Sequence, residues 1–442
     1  LFANEAKRFE LCYFGVKFYR MRRLEIFVSL IFWNIASADE HQLPLTSTQI
    51  SPNTEFVIFG TRHGNRNPDE YLNGIDRSWG QEGSLELTSI GKRQGYGLGV
   101  ELRKFIGNLT TTNFNASEVK YYSSSANRCQ MTLQVAIAGL HPPQTYNDWN
   151  TQRFDDWSPI PYTISDPILR MYSVKSCKKS DEVWKPVDND DLPELENLKN
   201  DNAQVLTYLS AETGWNMTEN LGKAADLADN LIQMDFYNTT YPSWLTNPKI
   251  NEYNGNELKK TIMKFAEIHP RSCAYYYPCR YLMGGYWLDD ILSKLSDANS
   301  TKNALKVVGY ASHTEVTLSV MNLMGIEKEE VTTSAGFVIE FRRQPNVAVR
   351  ILNHDPNPID AHVIYPANLT KELSDVQESD GFIRLSDFIR IVRPESYSDW
   401  PKQCDAPSCA IDNPNGNFSS SSSTLTFVSV LISTVLAALL NQ

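Results

Sequence analysis

"EFVIFGTRHGNRNP", residues 55–68, is the stretch on which the fold turns. Its first half, Glu55–Gly60, is apolar, β-branched and closed by a glycine, which is the pattern of a strand buried on both faces. Its second half sets Arg62, His63 and Arg66 within five residues of one another, where like charges repel unless an anion lies between them. Gly64 lets backbone approach closely and Pro68 stiffens the turn. Strand, basic loop and then helix is also the arrangement that points backbone N–H groups at an anion.

Working outward, "LTSIGKRQGYGLGVELRKFIG" (87–107) reads as a helix with Thr88 as N-cap. Its Gly95, Gly97 and Gly99 lack the spacing of a nucleotide fingerprint and point to close helix packing. Val119–Ser123 reads as a strand and Arg128–Leu140 as a helix ended by His141-Pro142-Pro143. From 150 to 290 the texture changes, with helical stretches near 194–212, 219–235 and 256–267. A helix at 285–298 leads into a strand at 304–312, a helix at 314–325, and strand-like runs at 335–343 and 346–354. "HDPNP" (354–358) reads as a turn. Strand–helix alternation at both ends of a helical middle predicts an α/β catalytic domain from 50–150 and 300–404, with a smaller helical domain inserted at 151–299.

The 442 residues carry a formal charge of −11. Met21-Arg22-Arg23, an apolar run and Ala36-Ser37-Ala38 have the layout of a secretory signal (21–38), leaving 1–20 as upstream translated sequence. Without residues 1–38, which hold six Lys/Arg and three Asp/Glu, the charge is −14. An acidic body disfavours nucleic acid as a partner, so any anion site must be locally basic. Residues 405–442 place small residues, a serine spacer and a terminal apolar tail in the order of a glycolipid-anchor signal, with a membrane-spanning tail as the alternative. Asn-x-Ser/Thr sequons at Asn108, Asn115, Asn216, Asn238, Asn299, Asn368 and Asn417, and six cysteines after Met21, fit an oxidising secretory route to the exterior, a cell surface or the lysosome. "CAYYYPC" (273–279) can close a small loop, and no Cys/His spacing suggests zinc.

A phosphate monoester fits the basic cluster. Arginine grips it through paired hydrogen bonds, and the positive field keeps His63 neutral and nucleophilic. A proton donor for the leaving alcohol has to come from elsewhere; "GYASHTEVTL" supplies His313, Thr314 and Glu315 at a strand-to-helix edge, and "SSSANRCQMT" supplies Arg128.

These segments resemble the histidine acid phosphatases. "RHGNRNP" matches their RHGxRxP motif, and "LTSIGKRQGYGLG", "SSSANRCQMT" and "YASHTE" resemble their first helix, second arginine segment and late histidine segment, in order from 55 to 404. The resemblance implies a phosphoglycerate-mutase-like α/β fold with a mainly parallel central sheet. It implies His63 as the nucleophile, and Arg62, Arg66, Arg128 and His313 as the phosphate cradle, with no cofactor or metal. The family usually has Asp, as the acid, directly after the late histidine; Thr314 stands there, and Glu315 fits the variant of the inositol polyphosphate phosphatases, whose His-Ala-Glu pattern puts the acid two residues on. A Cys177–Cys404 disulfide is also implied, and a homodimer is among the assemblies considered. Alternatives to hydrolysis of phosphate monoesters are a phosphate-binding recognition protein on the same fold, an inositol-polyphosphate-type phosphatase, and a phosphomutase, against which the secretory signal speaks.

Overall fold

Strand β1 (Thr54–Arg62) shows why the sequence builds a central sheet. Seven consecutive residues of the strand, Phe56 to Arg62, are buried and leave no side open to water. A strand buried on both faces needs cover on both. Its side chains alternate accordingly: Phe56 and Ile58 enter one apolar cluster, Val57 and Phe59 the other. The computed structural model describes residues 43–44, 46–75, 77–143, 157–300 and 305–406. The leader expected at 21–38, residues 1–20, Cys409, Asn417 and the tail from 407 lie outside the described residues.

The other strands are β2 (Val119–Ser123), β3 (Thr163–Ile164), β4 (Val307–Ser312), β5 (Gly336–Arg342), β6 (Ala348–Pro356), β7 (His362–Pro366) and β8 (Ile383–Arg384). They form a mixed sheet in the order β3-β2-β4-β1-β5-β6-β7, with β8 pairing β6. Pairings among β3, β2, β4 and β1 are parallel; those from β1 to β5 and beyond are antiparallel. The parallel character expected of the central sheet is found in β3, β2, β4 and β1, and the antiparallel strands lie on the other flank. Because β1, β2 and β4 are parallel and in register (Arg62 beside Ser312, Ser123 beside Ala311), their C-terminal ends share one edge. His63, Ser124 and His313 all emerge there.

Helices α1 (Ser89–Ile106) and α2 (Asn127–Leu140) cover one face, where Leu98, Leu102, Phe105, Leu133 and Ile137 meet Val57 and Phe59. Thr88 caps α1 by accepting from Gly91 N at 3.2 Å, as its sequence position predicts. Between β3 and β4 the chain is helical: α3 (Asp166–Leu169), α4 (Lys178–Asp188), α5 (Pro193–Asp201), α6 (Ala203–Thr213), α7 (Gly222–Phe236), α8 (Ser243–Thr246), α9 (Gly255–Met263), α10 (Ile268–Tyr275) and α11 (Tyr277–Asn299). After β4 come α12 (Thr314–Leu323), α13 (Lys371–Ser374), α14 (Leu385–Val392) and α15 (Trp400–Gln403). Trp287, Leu288 and Ile291 of α11 and Val316 and Val320 of α12 join Phe56 and Ile58 in the larger cluster, so the helical segment and the second sheet face share one core.

Some boundaries differ from the sequence pattern for identifiable reasons. The stretch expected as one helix at 194–212 breaks at Asn202, whose side-chain amide donates to the Leu198 carbonyl at 2.7 Å and competes with the backbone ladder. Helix α11 starts at Tyr277, eight residues earlier than periodicity indicates, with a proline in its first turn. The expected turn at 354–358 begins only after Pro356, because His354 and Asp355 remain paired to Ile364 and Val363. Among the described residues two disulfides form, Cys177–Cys404 and Cys273–Cys279; the first closes a separation of 227 residues and ties the start of α4 to the end of α15. Cys129 is buried and unpaired.

The α1 glycines serve packing, as their spacing predicts. A Cβ on Gly99 would strike the Ala136 carbonyl of α2, and one on Gly97 would lie 2.6 Å from the Asp360 carbonyl oxygen. Backbone cannot yield as a flexible side chain can. Gly99→Ala is therefore expected to destabilise the protein by about 1–3 kcal/mol through overpacking, seen as a lower urea midpoint with unchanged slope. A variant as stable as the parent contradicts this packing.

Candidate active site

The loop after β1 is held by backbone contacts before any side chain acts. His63 N donates to Ser312 O (2.9 Å), and His63 O accepts from Ser334 N (2.9 Å). Gly64 N donates to Thr132 Oγ1 (3.0 Å), and Asn65 N to Gln94 Oε1 (2.8 Å). The close approach that Gly64 permits is to helix α1: a Cβ there would lie 2.7 Å from Gly91 Cα. Its glycine thus seats the loop on the helix.

His63 is buried, and its Nδ1 lies 2.8 Å from the Gly64 carbonyl. A carbonyl only accepts, so Nδ1 carries the proton and Nε2 keeps its lone pair. Burial first, then the charges of Arg128 and Arg62, hold this imidazole well below its usual protonation range. The ring stands nearly edge-on to that of His313, with centroids 5.6 Å apart at 72°.

His313 lies between β4 and α12. Arg128 Nη2 donates to its Nδ1 (3.1 Å), which leaves its Nε2–H to donate to Ser124 Oγ (2.9 Å). Burial and then Arg128 also keep this ring neutral. Both nitrogens are thus engaged within the protein, and His313 faces the site chiefly by holding Arg128. Glu315, in the first turn of α12, is buried, and desolvation raises its pKa.

Arg62 projects from the last position of β1. Its Nη1 donates to Val331 O (2.8 Å) and its Nη2 pairs with Glu267. Arg66 pairs with Asp229 of α7 (2.8 Å) and with Glu267 (3.6 Å). These carboxylates raise the already high pKa of Arg66 against the opposing effect of burial. Nε of Arg62 and Nε of Arg128 are buried without a protein acceptor, which leaves donor capacity for an anion.

A cavity of about 560 Å³ opens over this edge. His63, Arg66, Arg128, His313, Thr314 and Glu315 line it, with Tyr172, Trp184 and Glu267. Five of the six residues singled out from sequence therefore reach one cavity; Arg62 sits behind it, on Glu267. Glu267 and Asp229 escaped the sequence reading because nothing local distinguishes them in an acidic helical stretch. Among the described residues, no group of three or more His, Cys, Asp or Glu is placed to hold a metal ion.

A buried, neutral histidine with a free Nε2, beside guanidinium groups at the C-terminal edge of parallel strands, has the chemistry to meet a compact anion. The chain belongs to the histidine phosphatase superfamily (branch 2), whose profile matches residues 71–348. The RHGNRNP loop lies just before the matched span. It is 27% identical over 271 residues to bovine prostatic acid phosphatase, an alignment covering 58% of this chain and 65% of that protein, just under two thirds of its length. It is 27% identical over 361 residues to putative acid phosphatase 5 of Caenorhabditis elegans, covering 79% of each. In fold it is similar to the Hafnia alvei phytase solved with myo-inositol hexakis sulphate, at 15% identity and a TM-score of 0.57, over 80% of this chain and 99% of that one.

The geometry predicts that His63 is neutral and Nδ1-protonated at pH 6.5, observable in ¹⁵N NMR of the histidines. Arg128→Met removes a repulsive charge but not the burial, so protonation of His63 should move upward in pH. A downward or absent shift contradicts the electrostatic account.

Proposed function

We propose that this protein is an acid phosphatase that hydrolyses phosphate monoesters through a phosphohistidine intermediate. The observation that carries this reading is that His63, Arg66, Arg128 and Glu315 line one cavity, where burial displaces the imidazole and the carboxyl in opposite senses. Catalysis needs His63 neutral and a carboxylic acid protonated together. At their ordinary values of 6.5 and 4.5, no pH favours both forms. Burial lowers the imidazole and raises Glu315, so the two forms can coexist at acidic pH.

His63 Nε2 attacks phosphorus in line with the ester oxygen while Nδ1–H stays on the Gly64 carbonyl. Arg66 and Arg128 bind the non-bridging oxygens, with Arg62 behind them and His313 fixing Arg128. Glu315 gives its proton to the departing alcohol oxygen as the P–O bond breaks and the N–P bond forms. The resulting carboxylate takes a proton from water, whose oxygen displaces His63 from phosphorus; phosphate leaves and both residues return to their starting states.

The rim favours monophosphates over polyphosphorylated rings. Helix α4 presents Asp181, Lys185 and Asp188 with Trp184, a net negative edge that would repel a densely anionic substrate. A secretory destination is part of the same reading, supported by two disulfides and by the exposure of Asn108, Asn115, Asn216, Asn238, Asn299 and Asn368. The leader (21–38), the lipid-anchor tail and a homodimer are proposed on sequence grounds alone.

His63→Ala should abolish turnover of p-nitrophenyl phosphate, and the acid-labile phosphoryl label trapped on the parent enzyme should disappear. Full activity without this ring would overturn the mechanism. Glu315→Gln should lower kcat by about 10²–10⁴-fold on an alkyl phosphate, which needs leaving-group protonation, and far less on p-nitrophenyl phosphate. Equal losses on both substrates would remove Glu315 from the donor role. In a substrate panel, kcat/KM for p-nitrophenyl phosphate should exceed that for myo-inositol hexakisphosphate; the reverse order would favour the inositol-polyphosphate alternative.

A further inference from the structure

Glu267 stands where a phosphate would have to go. One carboxylate oxygen contacts guanidinium nitrogens of both Arg62 and Arg66; the other accepts from Thr314 Oγ1 at 3.0 Å. Thr314 occupies the place that the resemblance gives to an aspartic acid, so a carboxylate from a distant segment is brought against that position. Glu267 lines the cavity with His63 and its side chain is 15% exposed. Its backbone has φ 52 and ψ 28, the left-handed region that a side-chain-bearing residue adopts only when its surroundings impose it.

Resting on the phosphatase reading of this site, we infer that Glu267 is an exchangeable internal ligand of the phosphoryl site: its carboxylate and the substrate's phosphoryl oxygens compete for Arg62 and Arg66, and it yields the arginines by taking up a proton. The groups facing it fix the direction of exchange. Arg62 comes from β1, Arg66 from the following loop, Asp229 from α7 and Thr314 from α12; His63, His313, Glu315 and Arg128 border the same cavity. Arg62, Arg66 and Arg128 against Glu267 and Asp229 leave at most one positive charge, since Asp181, Lys185 and Asp188 at the rim are together net negative. A phosphate monoanion balances that charge, whereas a dianion exceeds it unless a proton enters as well.

Burial opposes ionisation of Glu267, but Arg62 and Arg66 hold its pKa down to about 2. Phosphoryl oxygens on those arginines remove that support and place negative charge beside it, so it binds a proton in the complex. Besides the neutral His63 and His313, Asp229, pushed up to about 6 by burial with its own proton affinity reduced by Arg66, is a conceivable acceptor. It does not line the cavity, and only Glu267 touches both arginines.

The test is calorimetric titration of the whole protein with inorganic phosphate at pH 7.5, in two buffers of different ionisation enthalpy. The parent should take up close to one proton per phosphate bound, and its Kd should rise toward tenfold per pH unit once free phosphate is the dianion. Glu267→Gln keeps the shape, removes the carboxylate, and should bind phosphate about tenfold tighter at pH 7.5 with proton uptake near zero. Retained uptake in this variant, or its loss in Asp229→Asn instead, overturns the inference. Should Glu267→Gln fail to fold, Thr314→Val decides: loss of its hydrogen bond should tighten phosphate binding several-fold at pH 7.5, and unchanged affinity is a contrary result. A parent that binds no phosphate and turns over no monoester defeats the phosphatase reading itself; a parent that does both, with Glu267→Gln indistinguishable from it, defeats only this inference.

Discussion

Buried guanidinium groups must be matched by negative charge, and here the match spans two regions of the chain. Arg62 and Arg66 leave the end of β1; Glu267 and Asp229 come from the helical stretch between β3 and β4. Breaking such a buried pair by removing one partner typically costs about 3–5 kcal/mol, because the other charge is left uncompensated. The ion pairs therefore pin the helices over the sheet edge. The same contacts fix where Arg62 and Arg66 point, and two of the four side chains, Arg66 and Glu267, also line the cavity.

Burial then acts on the neighbours of these charges in opposite senses. It favours the neutral form of every titratable group, which lowers a histidine and raises a carboxylic acid. His63 and Glu315 respond in this way, and the arginines reinforce the histidine effect while opposing the other. Glu267 goes against its own burial because two guanidinium groups outweigh it. Two glutamates on one cavity are thus displaced in opposite directions, because only Glu267 is paired with Arg62 and Arg66.

Much of this was legible along the chain. The alternation in β1, the cap at Thr88, the packing glycines of α1 and the basic loop each have a local signature, since periodicity, turn chemistry and short motifs involve residues a few positions apart. The loop enclosed by Cys273 and Cys279 was readable for the same reason. Other features were not. Asn202 splits a helix through one side-chain hydrogen bond that periodicity does not weigh. Gly64 serves the seat of α1, a partner 27 positions further along the chain. His313 spends its nitrogens on Arg128 and Ser124, an arrangement that depends on three strands ending together.

The sequence by itself determined the kind of chemistry: an imidazole among arginines after a buried strand can do little else than handle a compact anion. Which carboxylates share that space was decided only by the tertiary structure. Glu267 lies about two hundred positions from the arginines it meets, in a segment where acidic residues are common, and no local pattern marks it. Its significance arises from the approach of α10 to the sheet edge, where water is excluded and each charge is felt by the next.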